Sequence, residues 1–112
     1  MAPLAVDTHT IVWYLSGDSR LSVRAASALD SATELGDFIH VPSVCLIELT
    51  YLVEKGRLPS SARERLVAAL DDPAMPFRFA ALDRNVADAL EFVSRTEVPD
   101  LPDRIVSATA VA

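Results

Sequence analysis

Three short apolar segments, each followed within a few residues by a helix start, constrain this 112-residue chain more than any other feature. Pro3-Leu4-Ala5-Val6 ends at Asp7, after which Thr8 to Leu15 carries helical spacing in Ile11, Val12, Trp13 and Leu15 until Gly17. Phe38-Ile39-His40-Val41 is closed by Pro42, and Ser43 then caps an apolar helix through Leu46, Leu49 and Leu52 to Lys55, with Gly56 past its end. Phe77 to Leu82 alternates as a third strand, and Asp83 caps a helix from Arg84 to about Ser94. Between these units, Ser22 caps a helix ended by Gly36, and Ser60 or Ser61 opens another, Arg63 to Leu70, ended by Asp71-Asp72-Pro73. A Pro-punctuated loop at 99–102 leads to a last helix near Asp103. Strands separated by helices pair in parallel, so the expected class is α/β, with a parallel sheet covered by helices.

The chain can build the core this class needs. Its residues are 51% apolar and 23% charged, which excludes a disordered tail. The single cysteine, Cys45, makes no internal disulfide, which points to a reducing compartment and a cytoplasmic protein. The apolar run from Ala2 to Val6 falls far short of the ~20 residues that span a bilayer, so no membrane partner is expected. A net charge of −6 argues against a bulk electrostatic grip on a polyanion. A phosphate-bearing substrate would need a local cation to offset that charge. The basic residues are nine arginines and one lysine, Lys55, a bias that base composition explains as well as phosphate recognition does.

Three acids do not fit their surroundings. Asp7 stands at the carboxyl end of a strand, where open α/β sheets place their ligands, although N-capping of the following helix is the commoner reason for an acid there. Glu48 has Val44, Cys45, Tyr51 and Leu52 as its helical neighbours, and an ionised carboxylate buried among them costs several kcal/mol unless it is paired, neutralised or bound to a cation. Exposure at the stripe edge or an arginine partner would meet the same need. Asp103 opens the last helix, where Asp100 competes for the cap position and Pro102 suits the first turn. Taken jointly, the three suit a hard divalent cation such as Mg²⁺ or Mn²⁺, which prefers oxygen ligands and acts on phosphoryl groups. Thr8 adds a hydroxyl beside Asp7, available to the acid or to a cation's water shell.

Other candidates point to structure. His9 and His40 lack partners at zinc spacing. Cys45, Trp13 and Tyr14 read as helix packing residues and not as a stacking platform. Only three glycines, at 17, 36 and 56, are present, so there is no phosphate-binding glycine loop.

Three segments in order resemble the PIN-domain family, in particular VapC-like toxins of bacterial toxin–antitoxin pairs. They are Val6-Asp7-Thr8-His9-Thr10-Ile11-Val12-Trp13, then Ile47-Glu48-Leu49 to Glu54-Lys55-Gly56-Arg57-Leu58, then Leu101-Pro102-Asp103-Arg104-Ile105-Val106-Ser107-Ala108-Thr109-Ala110. The resemblance spans nearly the whole chain. It implies an α/β/α sandwich with a central parallel sheet, residues 1–112 forming one PIN-like domain. It further implies a Mg²⁺- or Mn²⁺-dependent endoribonuclease that acts on RNA, forms a homodimer and is neutralised by a cognate antitoxin. Asp7, Glu48 and Asp103 would be the metal-site acids, also catalytic, with Thr8 as the accompanying catalytic hydroxyl.

One departure from the family pattern is plain. Family members continue past the last helix to another strand and a fourth acid, whereas this sequence stops at Ala112. The resemblance therefore leads us to expect a domain incomplete at its C-terminus, a three-carboxylate site, and a sheet with an open edge beside the Asp7 strand. Two alternatives follow: an impaired PIN remnant that binds an antitoxin or dimerises, and a phosphohydrolase using Asp7 as phosphoryl acceptor. The second commonly needs another Asp two positions on, where His9 stands.

Overall fold

The computed structural model describes residues 4–111. Its elements run β1 (Leu4–Ala5), α1 (Thr8–Ser16), α2 (Val23–Glu34), β2 (Ile39–Pro42), α3 (Ser43–Glu54), α4 (Ser60–Asp71), β3 (Phe77–Ala80), α5 (Arg84–Ala89) with a 3₁₀ turn over Leu90–Phe92, and α6 (Leu101–Val111). Among the described residues the sheet is parallel and ordered β1-β2-β3, with Leu4 opposite Ile39 and Ile39 opposite Phe77. Every strand is followed by a helix, as the alternation predicts.

Side chains alternate across the sheet and divide the core into two layers. Ile39, Val41 and Phe77 are buried on the face covered by α1 to α4, against Ile11, Leu29, Leu49 and Leu66. The half-buried His40 and Arg78 occupy the alternate positions, and α6 crosses β1 and β2 with α5 beside it. Val86, Ala89, Val93 and Ala108 form the smaller second cluster there, and Ile105 packs against both cores. This is the expected α/β/α arrangement. Coverage of the second face is partial: a cavity of about 420 Å³ opens between α5 and α6, and another of about 320 Å³ adjoins His40, Ala80 and Thr109. Among the described residues β1 pairs on one side only, with β2.

Caps follow the sequence where a side-chain oxygen can reach back. Asp7, Ser22 and Asp83 accept from the amides of Thr10, Ala25 and Val86. Ser43 and Ser60 do not cap; each is the first helical residue, preceded by Pro42 and Pro59. At Ser43 the cause is that β2 runs straight into α3 with no loop, so the strand's last residue occupies the cap position. The third strand ends at Ala80, short of Leu82, because Pro42, its partner position, is the end of β2. Likewise α6 begins at Leu101, with Asp100 and not Asp103 as its cap: the Asp100 carboxylate accepts from the Asp103 amide at 3.1 Å. α5 stops at Ala89, and the rest of its expected length is the 3₁₀ turn, whose Leu90 and Val93 carbonyls accept from the Arg104 guanidinium at 3.1 and 3.0 Å. Pro3, the expected start of the first strand, and Ala112 lie outside the described residues.

Phe77 is 1% exposed and meets the edge of the Tyr14 ring at 6.3 Å, joining the central sheet to α1. Phe77→Ala is expected to lower unfolding stability by about 3–5 kcal/mol, read from urea denaturation, with the denaturant slope unchanged.

Candidate functional site

The chain leaving β1 and the start of α3 meet through two side-chain hydrogen bonds, Thr8 to Glu48 and Cys45 to Val6. Val6 extends the pairing of β1 by donating its amide to the His40 carbonyl at 3.1 Å, and the chain then leaves the sheet in extended conformation at Asp7. The Asp7 Oδ1 accepts the Thr10 amide at 2.8 Å, while its Oδ2 makes no hydrogen bond among the described residues and the side chain is exposed. Asp7 is therefore a cap, and a cap with one carboxylate oxygen to spare. Thr8 opens α1, is 3% exposed, and donates its hydroxyl to Glu48 Oε1 at 2.9 Å. The hydroxyl serves Glu48 and not Asp7.

Glu48 lies on the second turn of α3, half-buried. Its helical neighbours divide: Val44 and Cys45 are buried, whereas Ile47 and Tyr51 are 65% and 57% exposed. The carboxylate thus sits at the boundary between core and solvent. No arginine pairs with it; among the described residues the ion pairs are Arg20–Asp18 and Arg84–Asp88. The Thr8 hydrogen bond offsets the cost of its partial burial, and Oε2 is left without a protein partner among the described residues.

Cys45 reports on this juxtaposition. Its thiol is fully buried and donates to the Val6 carbonyl at 3.4 Å. Burial pushes its pKa up to about 11; the Thr8 hydroxyl opposes this, and the charges of Glu48 and Asp7 add to it. Both carboxylates thus oppose ionisation of the same buried thiol. The reading of Cys45 as a packing residue holds, but it also forms the wall of the acidic site.

Asp103 is arranged differently. It lies exposed on the first turn of α6, and its carboxylate makes no hydrogen bond or ion pair among the described residues. Its helix packs against β1 and α3, the elements that lead to Asp7 and carry Glu48. Among the described residues no three acidic, histidine or cysteine side chains converge closely enough to hold a metal ion. The structure thus joins Thr8, the neighbour of Asp7, to Glu48 by a hydrogen bond, and gives the Asp103 carboxylate no such bond among the described residues. His9 is exposed and contacts Trp13, and His40 is half-buried in the central strand, so neither joins the acids.

The donors at the junction are hard oxygens, with one free oxygen on each of Asp7 and Glu48. That set fits Mg²⁺ or Mn²⁺, which commonly take one or two carboxylates and complete their shells with water and phosphate. Sequence reasoning did not identify Arg104, whose guanidinium ties the first turns of α6 to the turn after α5 while its Nε stays buried without a partner among the described residues. Its position beside Asp103 was the only signal.

The raised Cys45 pKa has a consequence for stability. The folded chain keeps the thiol proton that the unfolded chain releases, so stability falls as pH rises from about 9 to about 11. Over that window the wild-type chain is expected to lose about 2–3 kcal/mol more than Cys45→Ala, measured by denaturation at each pH.

The PIN domain model matches residues 4–112. Ribonuclease VapC22 of Mycobacterium tuberculosis (strain ATCC 25618 / H37Rv) is 26% identical over 111 residues, covering 99% of this chain and 81% of that protein. No solved structure matches at a comparable level. With the family pattern spanning all but the first few residues, and a parallel sheet that delivers Asp7 to its carboxyl edge, the chain belongs to the PIN-domain family.

Proposed function

We propose that this chain is a divalent-metal-dependent endoribonuclease, the toxin of a toxin–antitoxin pair, which hydrolyses RNA phosphodiester bonds. The observation that supports the reading is the Thr8–Glu48 hydrogen bond of 2.9 Å, which ties a helix carboxylate to the residue next to the strand-end acid Asp7. The likeness to a curated ribonuclease over 99% of the chain supports it.

In this reading Asp7 and Glu48 hold a Mg²⁺ or Mn²⁺ ion through their free oxygens, and Asp103 contributes from α6. When bound, such an ion stabilises charge on the phosphoryl oxygens and promotes deprotonation of a water nucleophile. The protein's own part is positional. Asp7 is fixed by the Thr10 amide and Glu48 by the Thr8 hydroxyl, so neither carboxylate must be ordered when the cation and substrate arrive. The cation also neutralises part of the −6 charge where the phosphate approaches. The protein acts in the cytoplasm as a homodimer neutralised by its antitoxin; none of its described helices is long and apolar enough to cross a membrane.

A second reading, an antitoxin-binding or dimerising protein without catalysis, draws support from the described residues' lack of three acidic, histidine or cysteine side chains grouped closely enough to hold a metal ion. The phosphohydrolase alternative loses ground because His9, two residues after Asp7, packs on Trp13.

Cleavage of a labelled RNA separates the two remaining readings. The nuclease requires Mg²⁺ or Mn²⁺ and falls at least roughly 100-fold in each of Asp7→Asn, Glu48→Gln and Asp103→Asn, the upper end of the loss seen when groups that only orient metal ligands are altered. Metal-dependent cleavage that survives all three changes contradicts the site. A folded wild-type chain that captures a small protein partner but neither cuts RNA nor binds Mn²⁺ supports the second reading.

A further inference from the structure

The turn after α1 folds back on the helix and builds a feature that the acidic site does not use. Gly17 adopts a left-handed conformation, φ 65°, and lets the Asp18 amide donate to the Trp13 carbonyl at 2.9 Å. Asp18 then holds Arg20 through three side-chain contacts, Nε to Oδ1 at 3.1 Å, Nε to Oδ2 at 3.2 Å and Nη2 to Oδ2 at 2.7 Å, and accepts the Arg20 amide at 2.8 Å. The guanidinium beside Asp18 holds its carboxyl at about 2, so the pair persists well into acid. Fixed in this way, the guanidinium lies over the Trp13 ring, 5.4 Å from its centroid. One turn earlier on α1, the His9 ring meets Trp13 at 5.5 Å with the planes tilted by 51°. Three planar groups thus form a ladder, His9–Trp13–Arg20, anchored by the half-buried Trp13 and exposed at both outer rungs. His9 is two residues from Asp7, and Trp13 stands about 9 Å along the helix axis from that acid.

We propose that this ladder is a stacking surface for an unpaired base of the RNA, next to the phosphate at the Asp7–Glu48 site; it rests on the nuclease reading and names the residues that hold the base. The π-face of an unpaired base is free to stack on histidine, tryptophan or arginine planes, whereas a duplex hides its bases against each other. Arg20 is already paired with Asp18, so the ladder adds little net positive charge and contributes by stacking, while neutralisation of the phosphate falls to the cation at Asp7 and Glu48. The preset geometry of all three groups also limits the ordering cost on binding.

Trp13 is the only tryptophan in the chain, so its emission reports on the ladder directly. The test titrates the full chain, in the Glu48→Gln background to prevent cleavage and with Mg²⁺ present, with a short fluorescein-labelled oligoadenylate. Binding is followed by anisotropy and, with unlabelled RNA, by Trp13 emission. The expected result is Trp13 quenching with the same midpoint as the anisotropy. His9→Ala, a change at an exposed side chain, weakens binding roughly 5- to 150-fold, the range of one lost base stack, and His9→Phe restores most of it. A duplex of the same length binds more weakly. RNA binding with unchanged Trp13 emission, full affinity in His9→Ala, or equal affinity for the duplex overturns the ladder and leaves the nuclease reading standing. Absence of RNA binding together with absence of wild-type cleavage overturns both; absence of binding by a chain that does cleave overturns the ladder alone.

Discussion

A single hydrogen bond, Thr8 Oγ1 to Glu48 Oε1 at 2.9 Å, joins parts of the chain forty positions apart and organises the acidic end of the sheet. Thr8 is almost fully buried, so its hydroxyl needs an acceptor; Glu48 is half-buried, so its carboxylate needs a donor. Each group meets the other's requirement, and removing either leaves its partner with a desolvation cost of about 1–3 kcal/mol. Because Thr8 is the first residue of α1 and Glu48 sits on α3, the bond also sets the relative position of the two helices. Asp7, fixed by its own cap, is carried to the same place.

The parallel sheet makes that meeting possible. With β1 and β2 side by side in register, both chains leave the sheet at the same edge, and each enters a helix at once. Asp7 stands in the short connection after β1, while β2 passes into α3 without a loop, so that Cys45 on the first turn of α3 reaches the Val6 carbonyl. Cys45 fills the space between, its thiol bonded to Val6 and its ionisation resisted by burial and by both carboxylates. Asp7 is exposed and Glu48 half-buried, so solvent reaches both carboxylates above the buried thiol. An acidic chain can thereby present a small, concentrated oxygen site without burying an unpaired charge.

Local chemistry was legible in the sequence, and long-range pairing was not. The three strands, the caps at Asp7, Ser22 and Asp83, and the glycine stops at 17, 36 and 56 follow from residue type and spacing alone. Ser43 misled because the cap motif assumes a loop before the helix, and here a strand ending in Pro42 takes its place. Where β3 ends depends on where its partner ends, a fact about register that no local pattern carries. Glu48 was visible as an acid out of place, but that its partner would be Thr8 and not an arginine or Asp7 required the fold. The ladder on Trp13 escaped for a similar reason: Arg20 reaches the ring only because the chain reverses at Gly17. Asp100 and Asp103 were competing caps in the sequence, and the structure assigns the role to Asp100, which releases the Asp103 carboxylate from local duty.

Whether Asp7 and Glu48 serve one cation can be read from Mn²⁺ affinity through a double-mutant cycle. Calorimetric titration of the wild-type chain, Asp7→Asn, Glu48→Gln and the double variant measures whether the two losses are coupled. A shared ion predicts that each single change weakens Mn²⁺ binding by at least about tenfold and that the double change adds little to either. Losses that simply add, or binding that neither change affects, would show that the two carboxylates do not hold a common ion.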